Sequence, residues 1–447
     1  MDRSSTFLFS PTGRRTGATL LSQGLNSLSN FVVSVVAANA LSASGFGAFA
    51  LAFVGYVIAL GISRSLATDA LLIRHSDLTE HAEGPLKRSL GGVVVVGIAA
   101  AVLVGVLGLA TRGALGPALL ALAASLPGVL LQDGCRQAAF ARGRPLLGVV
   151  LDASWLLLTL LLILGLHGLV DASEAWCFLA AWGVAGGLSG LLGILLLAVI
   201  PSAIGGIDWL HVHRDIGPRL LAEFALFNGS TQVTPLVLAV VATMVEVGGF
   251  RGAQVLLGPV GVLTFGALAT AVPELARVAR SGRLPLRLCD SVAAALAAVT
   301  LAAGVALHVL PDSVGTALLG DSWARASDVV LPLAVASAGS SATIAYLAGL
   351  RAHGAARQSL RAAVFVISYV ALGGSLGALA GGAFGGAVGL ILPMWAGALR
   401  YRSALKKVAA ASQLRLLSKS GPSVHNRSPQ PPLGPVDPSV PGPDLPS

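Results

Sequence analysis

Residues 23–51 read QGLNSLSNFVVSVVAANALSASGFGAFAL. The stretch combines an oily helix, a small-residue turn over Leu41 to Gly45 and the start of a second oily helix. Gln23, Asn26, Ser27, Asn30 and Ser34 recur at i, i+3, i+4, i+7 and i+11, which puts them on one face of a 3.6-residue helix. Lipid offers these side chains no hydrogen-bond partner, so the stripe is expected to face protein or a water-filled cavity.

The rest of the chain has the same character. Of 447 residues, 55% are hydrophobic and 11% charged, and the mean hydropathy is +0.82. A soluble domain of ordinary composition is excluded, and a polytopic, all-α membrane protein is expected. Apolar segments recur along the whole chain, so the first is read as a permanent span rather than a cleaved leader. The net charge of +9 is scattered over short loops, which argues against a nucleic-acid partner. Cys135, Cys177 and Cys289 lie far apart and form no disulfide framework or CxxC metal motif.

A span needs about 20 mostly apolar residues. Twelve segments qualify: 17–40, 46–66, 90–110, 115–131, 146–166, 175–200, 220–241, 250–272, 292–310, 329–350, 362–380 and 384–399. With both termini in the cytosol, the inner segments hold 26 Lys and Arg and the outer ones only Arg112, Arg251 and Arg325. One helix more or fewer would invert every later loop, so the charge split supports the count.

The second half echoes the first. Gly45-Phe46-Gly47-Ala48 after the first span has a counterpart in Gly249-Phe250-Arg251-Gly252-Ala253, and GCRQAAFARGRP from Gly134 resembles GLRAHGAARQSL from Gly349. Both halves hold six spans and begin inside, which implies parallel repeats. The expected organisation is a cytosolic N-terminus (1–16), a first lobe (17–200), a cytosolic linker (201–217), a second lobe (218–400) and a basic, then Pro-rich, disordered tail (401–447).

No hydrophilic segment between spans has the ~50 residues of a small catalytic domain, and no P-loop, HExxH, GxSxG or metal-spaced Cys/His cluster is present. His211 and His213 read as a solvated pair. The chain is therefore not expected to be an enzyme, and no cofactor is expected. Function is left to polar groups inside the spans. The seventh carries a second stripe, Asn228, Thr231, Gln232 and Pro235, at the position equivalent to the first. Gln23, Asn26, Asn30, Asn228, Thr231 and Gln232 are the expected lining of a central cavity. Asp152, about six residues or ~9 Å inside the fifth span, and Glu223 are the ion-coupling candidates. Each also has a simpler reading as a local ion pair, Asp152 with Arg142 or Arg144 and Glu223 with Arg219. Arg64, at the inner end of the second span, and Arg251, where the charge rule expects no cation, are the phosphate-contact candidates. Pro127, Pro259, Pro332 and Pro393 interrupt further spans.

The opening LLSQGLNSLSNFVVSVVAANALSASGFGAFAL resembles the first helix pair of bacterial polysaccharide flippases. These belong to the multidrug/oligosaccharidyl-lipid/polysaccharide exporter superfamily, in which a Gln/Ser/Asn-bearing helix leads to a Gly-Phe/Tyr-Gly turn. LLQDGCRQAAFARGRP, FALFNGSTQVTPLVLAVV with FRGAQVLLGP, and LLGDSWARASDVVLPLA agree in the right order, so the resemblance spans about residues 20–350. It implies two six-helix lobes around a cavity that opens alternately to either side of a bacterial plasma membrane. The implied substrate is a polyprenyl-(pyro)phosphate-linked glycan, moved from inner to outer leaflet by an ion gradient, with glycosyltransferase or polymerase partners. The charged cavity residues of peptidoglycan-precursor flippases have no evident equivalents in the spans, which points away from that branch. The alternatives are a multidrug cation antiporter of the same superfamily and a non-transporting membrane partner of a glycan-assembly complex.

Overall fold

In the computed structural model, residues 11–75, 83–169, 174–225, 230–261, 286–353 and 355–419 are described. The chain is all-helical, and no strand occurs among these residues. The first half comprises α1 (Pro11–Ala40), α2 (Ala43–Ser63) with a π-helical turn (Arg64–Thr68), α3 (Asp69–Arg74), α4 (Glu83–Ala110), α5 (Leu115–Ala141), α6 (Pro145–Leu169) and α7 (Ala175–Leu197). α8 (Ala203–Val212) and α9 (Gly217–Phe224) lead to the second half: α10 (Ser230–Val241), α11 (residues 244–261), α12 (Leu286–His308), α13 (Asp312–Leu319), α14 (Trp323–Ala352) and α15 (Ala356–Lys419).

Among the described residues, nine helical runs are long and apolar enough to cross a membrane. The last of them, Arg357–Ala411, holds 55 residues and folds back at Gly381 and Gly382, whose backbone is not helical. It supplies the expected eleventh and twelfth spans, with the break inside GGAFGG. α9 with α10, and α11, fall at the seventh and eighth positions. Residues 226–229 and 262–285 in those spans, the N-terminal 10 residues and the Pro-rich tail from 420 lie outside the described residues.

Two boundaries differ from the sequence reading. α5 does not stop at residue 131 but continues to Ala141, so Gly134 to Ala141 are helix rather than loop. Polar side chains there find partners inside the protein, which lets the helix go on past the point where hydropathy falls. The linker, read as a hydrophilic connection, contains α8, capped by the Ser202 hydroxyl, which accepts from Gly205 N at 3.1 Å. Trp209 of α8 is buried and its indole donates to Ala67 O at 3.0 Å, while Ile204 and Ile207 are exposed. His213 is buried against the Trp209 ring rather than solvated. Arg74 pairs with Asp215 and holds that carboxyl below its usual range, tying the end of α3 to the linker.

Aromatic side chains organise the first half. Phe46, Phe49, Phe53 and Tyr56 run down α2, and Tyr56 meets Trp182 of α7 edge-on at 4.7 Å. The Trp155 indole of α6 donates to Trp182 O at 3.0 Å. In the second half α12, α14 and α15 are joined by Asp290, which accepts from Arg402 at 2.7 and 2.8 Å and from the Tyr346 hydroxyl at 3.0 Å.

The final hairpin is built on glycine. Added to Gly377 or Gly389, a Cβ would stand 2.1 or 2.2 Å from the carbonyl oxygen of Gly385 or Gly373. No larger residue fits without parting the helices. Gly382 turns the chain at φ +58, and the Glu246 carboxylate caps the following helix by accepting from Ala383 N at 2.8 Å. Gly377→Val and Gly389→Val are expected to destabilise the protein by about 1–3 kcal/mol each through overpacking. Thermal unfolding of the purified protein should show this as a lowered Tm, with Gly165→Ala, which meets nothing within 4 Å, as the unaffected control.

Candidate functional site

A cavity of about 700 Å³ lies between the halves. From the first half its wall takes Val57, Leu60, Gly61 and Arg64, which descend α2 into its π-helical turn, and Asp69 at the start of α3. α9 contributes Leu220, Glu223 and Phe224, and α10 contributes Thr231 and Gln232. The opposite wall is a face of α14, Ser340, Thr343, Ile344, Leu347 and Arg351, with Tyr401 of α15. Those α14 residues follow the i, i+3, i+4, i+7, i+11 spacing of one helical face. Arg64, Asp69, Glu223 and Arg351 gather at one end, here called the basic end for its two arginines. Arg351 is exposed there and makes no ion pair among the described residues.

Behind this wall the first half buries a charge cluster. Arg64 donates from Nε and Nη2 to both carboxylate oxygens of Asp133, at 2.8 and 2.7 Å. Asp133 also accepts from Arg136 Nη2 at 2.6 Å, and Arg136 Nη1 lies 3.6 Å from Asp152 Oδ2. Asp152 accepts from the Ser22 hydroxyl and, at 3.2 Å, from Gln132 Nε2. Arg136 is 0% and Asp152 1% exposed. Such burial is tolerated because each charge has an opposite neighbour, although Arg136 Nε and Nη1 make no hydrogen bond among the described residues.

At the other end the halves close on one another. A Cβ on Gly47 of α2 would stand 1.9 Å from the Met244 carbonyl oxygen, and one on Gly248 would stand 2.7 Å from Ala43 O. The start of α2 and the start of α11 therefore touch, backbone against backbone, just ahead of the second GFRGA motif. The Asn39 amide donates to Ala317 O at 2.8 Å across the same boundary. The Arg251 guanidinium covers the Phe53 ring at 4.8 Å.

The sequence-derived residues fall in four places. Arg64, Glu223, Thr231 and Gln232 line the cavity; Asn228 lies outside the described residues. Gln23 is exposed, and Asn26 and Asn30 are half-buried and bonded to each other at 3.4 Å; none of the three lines this cavity. The buried polar side of α1 is Ser22, Ser29 and Ser34. Arg251 sits in the closed end, on Phe53. Asp152 is inside the first half, and its partner is Arg136, not Arg142 or Arg144; Arg142 instead donates to Leu197 O at 2.7 Å. Among the described residues Glu223 has no ion pair with Arg219; it lies near Asp69 on the cavity wall. Sequence reasoning missed Asp133 and Arg136 by placing them in a loop, although their i, i+3 spacing and the lone Asp152 in the next span were visible. It also missed the α14 face, whose Ser and Thr barely lower hydropathy.

No protein-family model matches the chain, and no curated protein compared with it does. Solved structures do. The lipid II flippase MurJ in an inward closed conformation is similar with a TM-score of 0.67 at 11% identity, over 90% of this chain and 90% of that one. An inward-facing multidrug resistance MATE family transporter of the MOP superfamily gives 0.63 at 12%, over 88% of this chain and 99% of that one. The Vibrio cholerae MATE transporter VcmN in its bent form gives 0.51 at 16%, over 92% and 99%. At these identities the likeness establishes a shared fold, an all-helical membrane-spanning bundle.

Arg136→Met leaves Asp133 and Asp152 with no buried cation between them and should cost about 3–5 kcal/mol, read as a fall in Tm well beyond that of Arg142→Met. Asn39→Ala together with Arg251→Ala removes the side-chain contacts of the closed end. A membrane-impermeant maleimide should then label Val247→Cys, buried at the closed end, at least several-fold faster, and an unchanged rate would count against the closed end being a gate.

Proposed function

We propose that this chain is a multi-pass transporter of the bacterial plasma membrane that flips a polyprenyl-(pyro)phosphate-linked oligosaccharide, or a related cell-envelope glycolipid, from inner to outer leaflet. The carrying observation is the cavity between the halves, lined at the basic end by Arg64 and Arg351 and shut at the other by the Gly47 and Gly248 contacts. The distribution of Lys and Arg puts the basic end in the cytosol, so this conformation is the one that receives substrate. In this reading residues 17–200 and 218–400 move as the two lobes, joined by 201–217. The headgroup enters the cavity, and the polyprenyl chain stays in lipid.

About 700 Å³ suits a phosphate with its first sugars, within the ~300–1,000 Å³ range of ligand sites. Arg351 offers a guanidinium that can bind phosphate in bidentate fashion, and among the described residues no carboxylate pairs with it. Cation export has one observation in its favour, the carboxylates of Asp69 and Glu223 on the wall. Two arginines beside them work against a cationic cargo. A tie between the tail, residues 401–447, and glycan-assembly enzymes belongs to the same reading.

The test is leaflet distribution. In proteoliposomes carrying a labelled polyprenyl-diphosphate glycan, the native protein should equilibrate label between leaflets. Arg351→Gln should slow this about tenfold or more, from the loss of a charged hydrogen-bond donor, while Arg351→Lys keeps part of the rate. In cells, depletion should accumulate precursor on the cytosolic leaflet. Unchanged precursor distribution together with altered drug efflux would replace this reading with the multidrug one.

A further inference from the structure

The four charges of the first half form a chain that runs from cavity to interior: Arg64, Asp133, Arg136, Asp152. Two cations and two carboxylates cancel. Only Arg64 reaches the cavity, with 31% of its side chain accessible, against 6% for Asp133, 1% for Arg136 and 0% for Asp152. The other ionisable groups near the cluster are Tyr56 on α2, Asp69 beyond the π-helical turn with Glu223 of α9 near it on the cavity wall, and Cys135 on α5. None of these adds a cation. Charge balance in this interior therefore depends on a side chain that also faces the cavity.

We propose that Arg64 is a shared cation: an anionic group arriving in the cavity draws its guanidinium away from Asp133, and the cluster left behind takes up one proton from cavity water. This rests on reading the cavity as the site of an anionic substrate. Arg64 exchanges one anion for another. What remains is Arg136 between two carboxylates, a net negative charge in a region where burial disfavours the ionised form. A proton on an oxygen of Asp133 or Asp152 restores neutrality. Gln132 stands ready to accept its hydrogen bond: Nε2 donates to Asp152 Oδ1 at 3.2 Å, and Oε1 has no partner among the described residues. Turning the amide over would present Oε1 to a protonated Asp152. By linkage, the anion then binds more tightly as pH falls. Arg351, which touches no part of the cluster, can bind an anion without moving a proton, so the two arginines divide recognition from proton linkage.

Proton counting by titration calorimetry, in buffers of different ionisation enthalpy, tests this on the purified full-length protein. The probes are a short-chain polyprenyl diphosphate, inorganic pyrophosphate and the neutral polyprenol. The native protein should take up about one proton per diphosphate bound and none with the polyprenol. Asp133→Asn frees Arg64 permanently and should bind the diphosphate more tightly with no proton uptake, a gain that a merely structural role would not produce. Arg64→Gln, which serves if Asp133→Asn fails to fold, should bind about tenfold more weakly and also without uptake. An equal proton count with inorganic pyrophosphate assigns the effect to the headgroup, and uptake with the lipid alone assigns it to the lipid-borne anion; both support the proposal. Diphosphate binding to the native protein without proton uptake, or full uptake in either variant, overturns the proposal and leaves the transport reading standing. No diphosphate binding at all overturns the substrate reading on which it rests.

Discussion

Charge inside a membrane-spanning helical bundle must be cancelled within the protein, and the first half is arranged around that constraint. Arg136 is fully buried; two carboxylates balance it, and the groups that hold those carboxylates come from four segments of the first half. Asp133 stands one turn away on α5, Asp152 comes from α6, Ser22 from α1 and Arg64 from α2. Neutral packing would hold these helices with less directional demand. The cluster instead fixes their register, because each hydrogen bond specifies an angle as well as a contact. The aromatic column from Phe46 to Tyr56 then packs on a frame whose helix positions are already set.

The same constraint explains how the second half differs. Its visible ion pairs sit toward the ends: Arg402 with Asp290 on one side, and Arg325 with Glu246 at 3.4 Å on the other. Between them the packing relies on small residues, Gly373 against Gly389 and Gly377 against Gly385, and on single polar bonds such as Thr300 to Ser341 at 3.0 Å. One half is thus stitched by charge and the other by close backbone approach. Glu246, which caps the last span and pairs with Arg325, makes α11, α14 and the final hairpin one unit.

Helix number and the hinge at Gly381 and Gly382 were legible because they depend on length, hydropathy and the backbone freedom of glycine, all of which are local. What escaped was anything that depends on a partner. Hydropathy ends the fourth span at residue 131, because Gln132, Asp133 and Arg136 look wet; they are dry, and their partners lie on other helices. Asp152 was assigned an arginine by nearness in sequence, whereas its arginine comes from the preceding helix. On α1 the stripe of Gln23, Asn26, Ser27, Asn30 and Ser34 contributes only Ser34 to the buried side, which Ser22 and Ser29 complete. A small hydroxyl fits a helix contact that an amide would crowd. The cavity face of α14 was hidden for the same reason, since Ser340 and Thr343 carry little weight on any polarity scale.

The closed end of the cavity is made largely of main chain: Gly47 on Met244, Gly248 on Ala43, Gly320 against Ala38 and Asn39. A backbone has no rotamers with which to stretch after a retreating neighbour. Side-chain gates can yield piecemeal, each residue following its partner for an ångström or two before letting go. In the transport reading, a gate of this construction has no such slack, so it parts along its full length or stays shut. Its behaviour reduces to a single equilibrium constant between two positions. A leaky, half-open intermediate, through which ions or water would short-circuit the membrane, has little structural basis at this end of the molecule.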